Sequence, residues 1–192
     1  MRARLASGNP HKLVELRRSL PGWDIELIDN PSFPPETGLT YAENARGKAV
    51  HGRSGAPGDA WVIGEDSGIE VAGLGGRPGL ESARWADDGV ARLLDELADV
   101  PDRCARYVCA IVAIGPQGDE VAVEGTLEGT IATGRRGEEG FGYDPVFVPE
   151  GEQQTVAELG DAWKTANSHR ARAAAALYSC LQDLESASAN PV

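Results

Sequence analysis

Lysine is almost missing from this 192-residue chain. Of its 18 basic residues only Lys12, Lys48 and Lys164 are lysines, and the other 15 are arginines. Cysteine is scarce too. Cys104, Cys109 and Cys180 are an odd number with no CxxC pair, which excludes a disulfide framework and a zinc-ligand spacing and predicts buried, reduced thiols in a cytosolic protein. No apolar run approaches the ~20 residues that cross a bilayer, and the N-terminus lacks the charged, apolar and small-residue order of a signal peptide. Positive charge is short overall: the formal net charge is −12, which argues against a nucleic-acid or acidic-membrane partner because a polyanion is repelled at long range. A small anion remains possible where cations are gathered locally. In a chain that defaults to arginine, three lysines look selected, because a compact ammonium suits a phosphate oxygen in a crowded site.

What is present is ordinary for a soluble globular protein: 41% hydrophobic and 25% charged residues, with no internal repeat. The length predicts a single domain over 1–184, with 185–192 as a frayed or disordered tail. Met1–Ala6 reads as a strand, followed by a helix with Asn9 as N-cap, Pro10 at its first position and Leu13, Leu16 and Leu20 on one face. A half-buried strand over Trp23–Ile28 and a Pro/Gly-rich loop over 29–39 come next. Thr40 and Glu43 predict a capping box opening a helix to about Arg53. The segment WVIGEDSGIEVAGLGGRPG reads as strand, polar turn, strand and glycine-rich loop. VARLLDELA is helical, two long strands are joined by GPQGD as a hairpin, and a short strand follows FGYDP. Thr155 and Glu158 predict a capping box starting a short turn, and Ser168 can cap a last helix from His169 to about Leu184. This mixture predicts an α/β (mixed α+β) fold.

Five stretches carry possible chemistry. In Ser7-Gly8-Asn9-Pro10-His11-Lys12, a strand-to-helix turn places backbone N–H groups and a helix start where an anion could lie, with Lys12 one turn in; the alternative is a plain cap with a solvated lysine. Glu65-Asp66-Ser67-Gly68 puts two carboxylates at the end of an apolar strand, where a hard cation such as Mg²⁺ could pair with them and one could take a proton from water; the alternative is an acidic turn. Glu36 has no visible structural task and is a candidate metal ligand, whereas Glu43 is better read as the capping glutamate. Lys48, five residues beyond Glu43, falls on another face and could be a simple exposed lysine. Phe141-Gly142-Tyr143-Asp144-Pro145 could stack on a base and accept its hydrogen bonds, or be a packed turn. Lys164, His169 and Arg170 gather near a helix start, as ligand groups or as exposed polar residues.

In order, SGNxxK, ETGLTYxENAxxKA, EDSGIEVxxLGGRPG, FGYDPVF, TxAEL and KxxxSHR resemble the inosine triphosphate pyrophosphatase (Ham1-like) family from about residue 4 to 184. The resemblance implies a long central mixed sheet flanked by helices, with a nucleotide cleft between two lobes. It implies hydrolysis of dITP, ITP and XTP to monophosphate and pyrophosphate with Mg²⁺, or Mn²⁺ as a substitute, by a cytoplasmic homodimer. By the same resemblance Ser7 to Lys12 line the triphosphate with Lys48 assisting. Glu36 and Asp66 bind metal, Asp66 accepts the proton of water, and Ser67 touches substrate. Phe141, Gly142, Tyr143, Asp144, Lys164, His169 and Arg170 hold the base and its neighbours. Two departures stand out: Ser7 replaces the usual threonine and keeps the hydroxyl, and Glu65 replaces the first of two aspartates, so that a metal contact by Glu65 is an open possibility.

Other readings use the same residues. A non-catalytic nucleotide sensor would bind without turnover, a related house-cleaning pyrophosphatase would prefer modified pyrimidine nucleotides, and a γ-phosphatase would release phosphate. The Arg135-Arg136 loop reads by default as solvated.

Overall fold

The computed structural model describes residues 1–28, 33 and 35–189, so the expected 29–39 loop lies partly outside the described residues, as do residues 190–192 of the expected tail. The elements run β1 (Arg2–Ala6), α1 (Pro10–Ser19), β2 (Asp24–Leu27), α2 (Tyr41–Arg53), β3 (Trp61–Val71), α3 (Gly89–Glu96), β4 (Cys104–Ile114), β5 (Glu120–Ile131), β6 (Phe147–Pro149), α4 (Val156–Asn167) and α5 (His169–Ala189). The strands form one mixed sheet in the order β2-β1-β3-β4-β5-β6, as an α/β fold requires. β1 is parallel to both β2 and β3, and β5 is antiparallel to β6. No helix among the described residues is long and apolar enough to cross a membrane.

The chain divides into two compact units: residues 1–66, 109–125 and 170–192 form one, and residues 67–108 and 126–169 form the other. In the first, alternation along β1 and β3 assigns each side chain to a face. Ala3, Leu5 and Ile63 enter a core with Leu16 and Leu20 at the α1 end and Ala173, Ala174, Leu177 and Leu181 from α5. The other face meets α2 at very close range. A Cβ on Gly64 would stand 1.9 Å from the Ala45 carbonyl oxygen and 2.7 Å from the Ala49 nitrogen, so this strand position requires glycine. The second unit has its own core, in which Val90, Leu93 and Leu97 of the α3 region pack with Ile69, Tyr107, Leu127 and Phe147.

Several local expectations change. EDS does not break the strand: β3 is continuous through Glu65, Asp66 and Ser67, and the two carboxylates find partners on opposite faces, described below. At α2, Thr40 accepts the Glu43 N–H at 3.1 Å, but Glu43 returns its carboxylate to the Leu39 N–H at 2.6 Å, so the box closes one residue early. At α4 the box is complete, and it opens twelve residues of helix, kinked at Gly160, where a short turn was expected. Of the cysteines only Cys109 is buried; Cys104 and Cys180 are exposed. The Arg135-Arg136 loop is tied down rather than merely solvated: Arg135 pairs with Asp88 at 2.6 Å, and Arg136 donates through its backbone to Pro145 at 2.8 Å.

Candidate active site

Because β3 is continuous, Glu65 and Asp66 project to opposite faces. Asp66 shares the face of Gly64, so the close seat of α2 brings two of that helix's side chains onto it. Asn44 Nδ2 donates to Asp66 Oδ2 at 3.0 Å, and Lys48 Nζ donates to Asp66 Oδ1 at 2.9 Å. Lys48 also donates to the Glu65 carbonyl at 3.1 Å and pairs with Glu36. Asn44 is itself held, its Oδ1 accepting the Gly38 N–H at 2.8 Å. Two carboxylates from separate segments thus converge on one ammonium. Burial pushes the Asp66 carboxyl above its usual range, and Glu36 adds to the rise, while Lys48 and Asn44 oppose it. Burial alone would lower the Lys48 ammonium, but Asp66 and Glu36 outweigh that and hold it above the usual lysine value. Lys48 is therefore no simple exposed lysine.

Glu65, wholly buried, turns toward α1 and α5. Lys12 Nζ lies 2.5 Å from its Oε2, and Arg170 Nη2 lies 2.9 Å from its Oε1. The Cys109 thiol donates to the same Oε1 at 3.3 Å, and burial, reinforced by Glu65, raises that thiol well above its usual pKa. Arg170 pairs on its other side with Glu15. The Ser7–His11 turn satisfies part of its own backbone: Ser7 Oγ accepts the Asn9 N–H at 3.1 Å, and Asn9 Oδ1 accepts the His11 N–H at 2.9 Å. Two N–H groups expected to face an anion thus already have acceptors, which leaves Lys12 as the strong cation of this turn.

The second unit holds a separate constellation around Asp144. Lys164 Nζ donates to Asp144 Oδ2 at 2.7 Å, the Phe141 N–H donates to the same oxygen at 2.8 Å, and the Tyr107 hydroxyl donates to Oδ1 at 3.3 Å. Gly140 lies so close that a Cβ there would stand 2.2 Å from Asp144 Oδ2. The Lys164 ammonium also sits 4.6 Å from the Phe141 ring centroid. His169 stacks flat on Tyr107, with centroids 4.5 Å apart and planes at 7°. Tyr143 points elsewhere: its hydroxyl donates to the Ser82 carbonyl at 3.0 Å, and burial raises its pKa to about 12. Ser67 is half-buried on β3, and Gly142 is exposed.

The predicted residues therefore fall into three sets: Glu36, Lys48 and Asp66; Lys12, Glu65 and Arg170; and Phe141, Asp144, Lys164 and His169. All three lysines rest on carboxylates. An open cavity of about 740 Å³, lined by residues such as Glu70, Cys104, Arg106 and Glu128, contains none of them. Asn44, Glu15, Tyr107 and Cys109 were given no site role from sequence. Asn44 had a signal, being a poor helix former in the first turn of α2. Tyr107 had one as well, because a phenol in an apolar strand needs a hydrogen-bond partner.

A profile of the Ham1 family matches residues 3–180. The chain belongs to the Ham1 family. Curated relatives within reach of this Ham1 protein include one from Mycobacterium tuberculosis named dITP/XTP pyrophosphatase, 48% identical over 196 residues that cover 94% of this chain and 95% of that one. Another with the same name, from Bdellovibrio bacteriovorus, is 43% identical and covers 93% and 96%. Among solved structures, the Ham1 protein of Staphylococcus aureus superposes with a TM-score of 0.83 at 35% identity, covering 95% of this chain and 99% of that one. A nucleoside-triphosphatase, dITP/XTP pyrophosphatase, of Mycobacterium abscessus gives a TM-score of 0.70 at 41% identity, covering 92% and 97%.

Proposed function

We propose that this protein hydrolyses deaminated purine nucleoside triphosphates (dITP, ITP and XTP) to the monophosphate and pyrophosphate, with a divalent cation, Mg²⁺ by preference, as a cytoplasmic homodimer. The observation that carries the reading is the meeting of Glu36 and Asp66 on one ammonium, with Asp66 raised in pKa by burial. The names of its relatives, dITP/XTP pyrophosphatase, support the substrate class.

The donor set fits a hard cation. Glu36 and Asp66 already share one positive charge, and among the described residues no third His, Cys, Asp or Glu joins them in a ligand group. Two carboxylates leave the remaining positions to water and phosphate oxygens, the usual arrangement for Mg²⁺ at nucleotide sites. When bound, such an ion neutralises charge on the triphosphate. Asp66, held by Asn44, is the residue that accepts the proton of water attacking the α-phosphorus. Lys12 and Lys48 donate to phosphate oxygens and offset the charge developing on the pyrophosphate. Phe141, Asp144, Lys164 and His169 serve the base. A 6-keto purine offers an acceptor where adenine offers a donor, and a donor aimed at that position rejects adenine by leaving a polar group unmatched.

The test is direct. The purified protein is incubated with Mg²⁺ and ITP, XTP, GTP or ATP, and the products are identified. Monophosphate and pyrophosphate, mainly from ITP and XTP, are expected. Diphosphate and phosphate would point to a γ-phosphatase, and binding without turnover would point to a sensor.

A further inference from the structure

Asn44 joins the two segments that carry the proposed cation ligands. It is buried, 5% exposed, and both ends of its amide are used: Oδ1 accepts the Gly38 N–H at 2.8 Å, and Nδ2 donates to Asp66 Oδ2 at 3.0 Å. A backbone N–H only donates and an ionised carboxylate only accepts, so the amide has a single orientation that satisfies both. The loop runs against it at close range. A Cβ on Gly38 would stand 2.7 Å from Asn44 Oδ1 and 2.8 Å from Glu43 Cβ, which requires glycine at that point. Glu36, two residues before Gly38, is joined to Asp66 a second time through Lys48 Nζ, which pairs with both carboxylates. Gly38, Asn44, Asp66, Lys48 and Glu36 therefore form a ring with two cross-links, and the two differ in stiffness. Lys48 carries its ammonium on a flexible stem, whereas Asn44 reaches across on a single methylene with its amide bonded at both ends. A carboxylate at position 44 would set like charge against Asp66, and a glutamine would place the same amide one methylene further out.

We infer that Asn44 is a positioning residue of the cation site: by tying the Gly38 backbone to Asp66 Oδ2 it fixes the separation of Glu36 and Asp66, and it leaves Asp66 Oδ1 turned to the side that Glu36 shares. This rests on the proposed function only in taking Glu36 and Asp66 as the cation ligands.

The test reads the metal directly. Mn²⁺ alone is titrated into the wild type, Asn44→Ala, Asn44→Gln and Gly38→Ala, with free Mn²⁺ followed by electron paramagnetic resonance; kcat and KM for ITP at saturating Mg²⁺ and urea unfolding are measured beside it. Asn44→Ala is expected to weaken Mn²⁺ binding about 10–100-fold and to lower kcat by a similar factor, with KM for ITP little changed. Asn44→Gln, which keeps both ends of the amide at the wrong reach, is expected to give the same pattern, and it serves if the alanine variant does not fold. Gly38→Ala leaves Asn44 and Asp66 in place but pushes the Glu36 segment outward, and is expected to weaken Mn²⁺ binding about tenfold. Wild-type Mn²⁺ affinity in the folded fraction of Asn44→Ala or Asn44→Gln would overturn the inference, since a merely structural role moves the urea midpoint alone. So would an intact Mn²⁺ affinity in Gly38→Ala, which would mean that Asn44 acts on Asp66 without setting its distance from Glu36. A wild type that takes up no Mn²⁺ would overturn the inference together with the cation site. Mn²⁺ binding needs no turnover, so a wild type that binds Mn²⁺ but leaves ITP intact would refute the proposed activity and not this inference.

Discussion

Asp66 and Asp144 are both buried, both rest on a lysine and both were singled out from short motifs, yet they sit in opposite circumstances. Asp66 has a lysine and an amide on its two oxygens, a second carboxylate on the same lysine, and a pKa pushed up by burial. Asp144 has a lysine and a backbone N–H on one oxygen and a tyrosine hydroxyl on the other, and it ties the FGYD turn to α4 and β4. Like charge gathered around the first makes it ready to take a proton or a cation. Donors gathered around the second make it a clamp. Burial plus a lysine therefore does not by itself separate the proposed proton acceptor from a clamp; the other groups that share the lysine and the carboxylate do.

Breaking the two sites in turn sharpens that difference. Asp66→Asn keeps the size and the Lys48 contact but removes the proposed proton acceptor, and is expected to lower pyrophosphate release about 10²–10⁴-fold, read in a coupled assay. Lys164→Met takes the ammonium away from the buried Asp144 carboxylate, the two being 4% and 5% exposed in the pair, and is expected to cost about 3–5 kcal/mol in urea unfolding. The added Asp144→Asn change should restore much of that loss. Gly64→Ala drives a methyl into the α2 backbone and is expected to cost about 1–3 kcal/mol, with activity falling further than stability because Asn44 and Lys48 move away from Asp66.

The smallest effect concerns pH. The Tyr143 phenol has its pKa raised by burial from the usual 10 to about 12, so the folded protein keeps a proton that the unfolded chain gives up. Its contribution to stability is present below pH 10 and declines as pH rises from 10 toward 12. Tyr143→Phe should flatten that part of a plot of unfolding midpoint against pH, at the cost of the hydrogen bond to Ser82.

Much of this was legible in the sequence, in places where a local rule decides the outcome. Asn9 and Pro10 start α1, Thr155 and Glu158 close a full capping box, and GPQGD turns β4 into β5, because each depends on residues a few positions apart. The scarcity of lysine drew attention to Lys12, Lys48 and Lys164, and each of them lies on a carboxylate. What the sequence hid depended on partners far along the chain. EDS looked like a turn because charged residues rarely sit within a buried strand, and the Arg170 and Lys12 that accommodate Glu65 lie 105 residues after it and in the first helix. The second carboxylate on Arg170 was hidden as well, because nothing beside it in the chain announces Glu15, 155 residues away.

The measurement that tests the central claim most directly compares Asp66→Asn and Asp144→Asn side by side, in single-turnover hydrolysis of ITP and in urea unfolding. Asp66→Asn is expected to keep its fold and lose the chemical step. Asp144→Asn is expected to lose stability and substrate affinity while its folded fraction retains the chemical step. An Asp66→Asn protein that turns over ITP at the wild-type rate, or an Asp144→Asn protein that is stable but catalytically dead, would contradict the account.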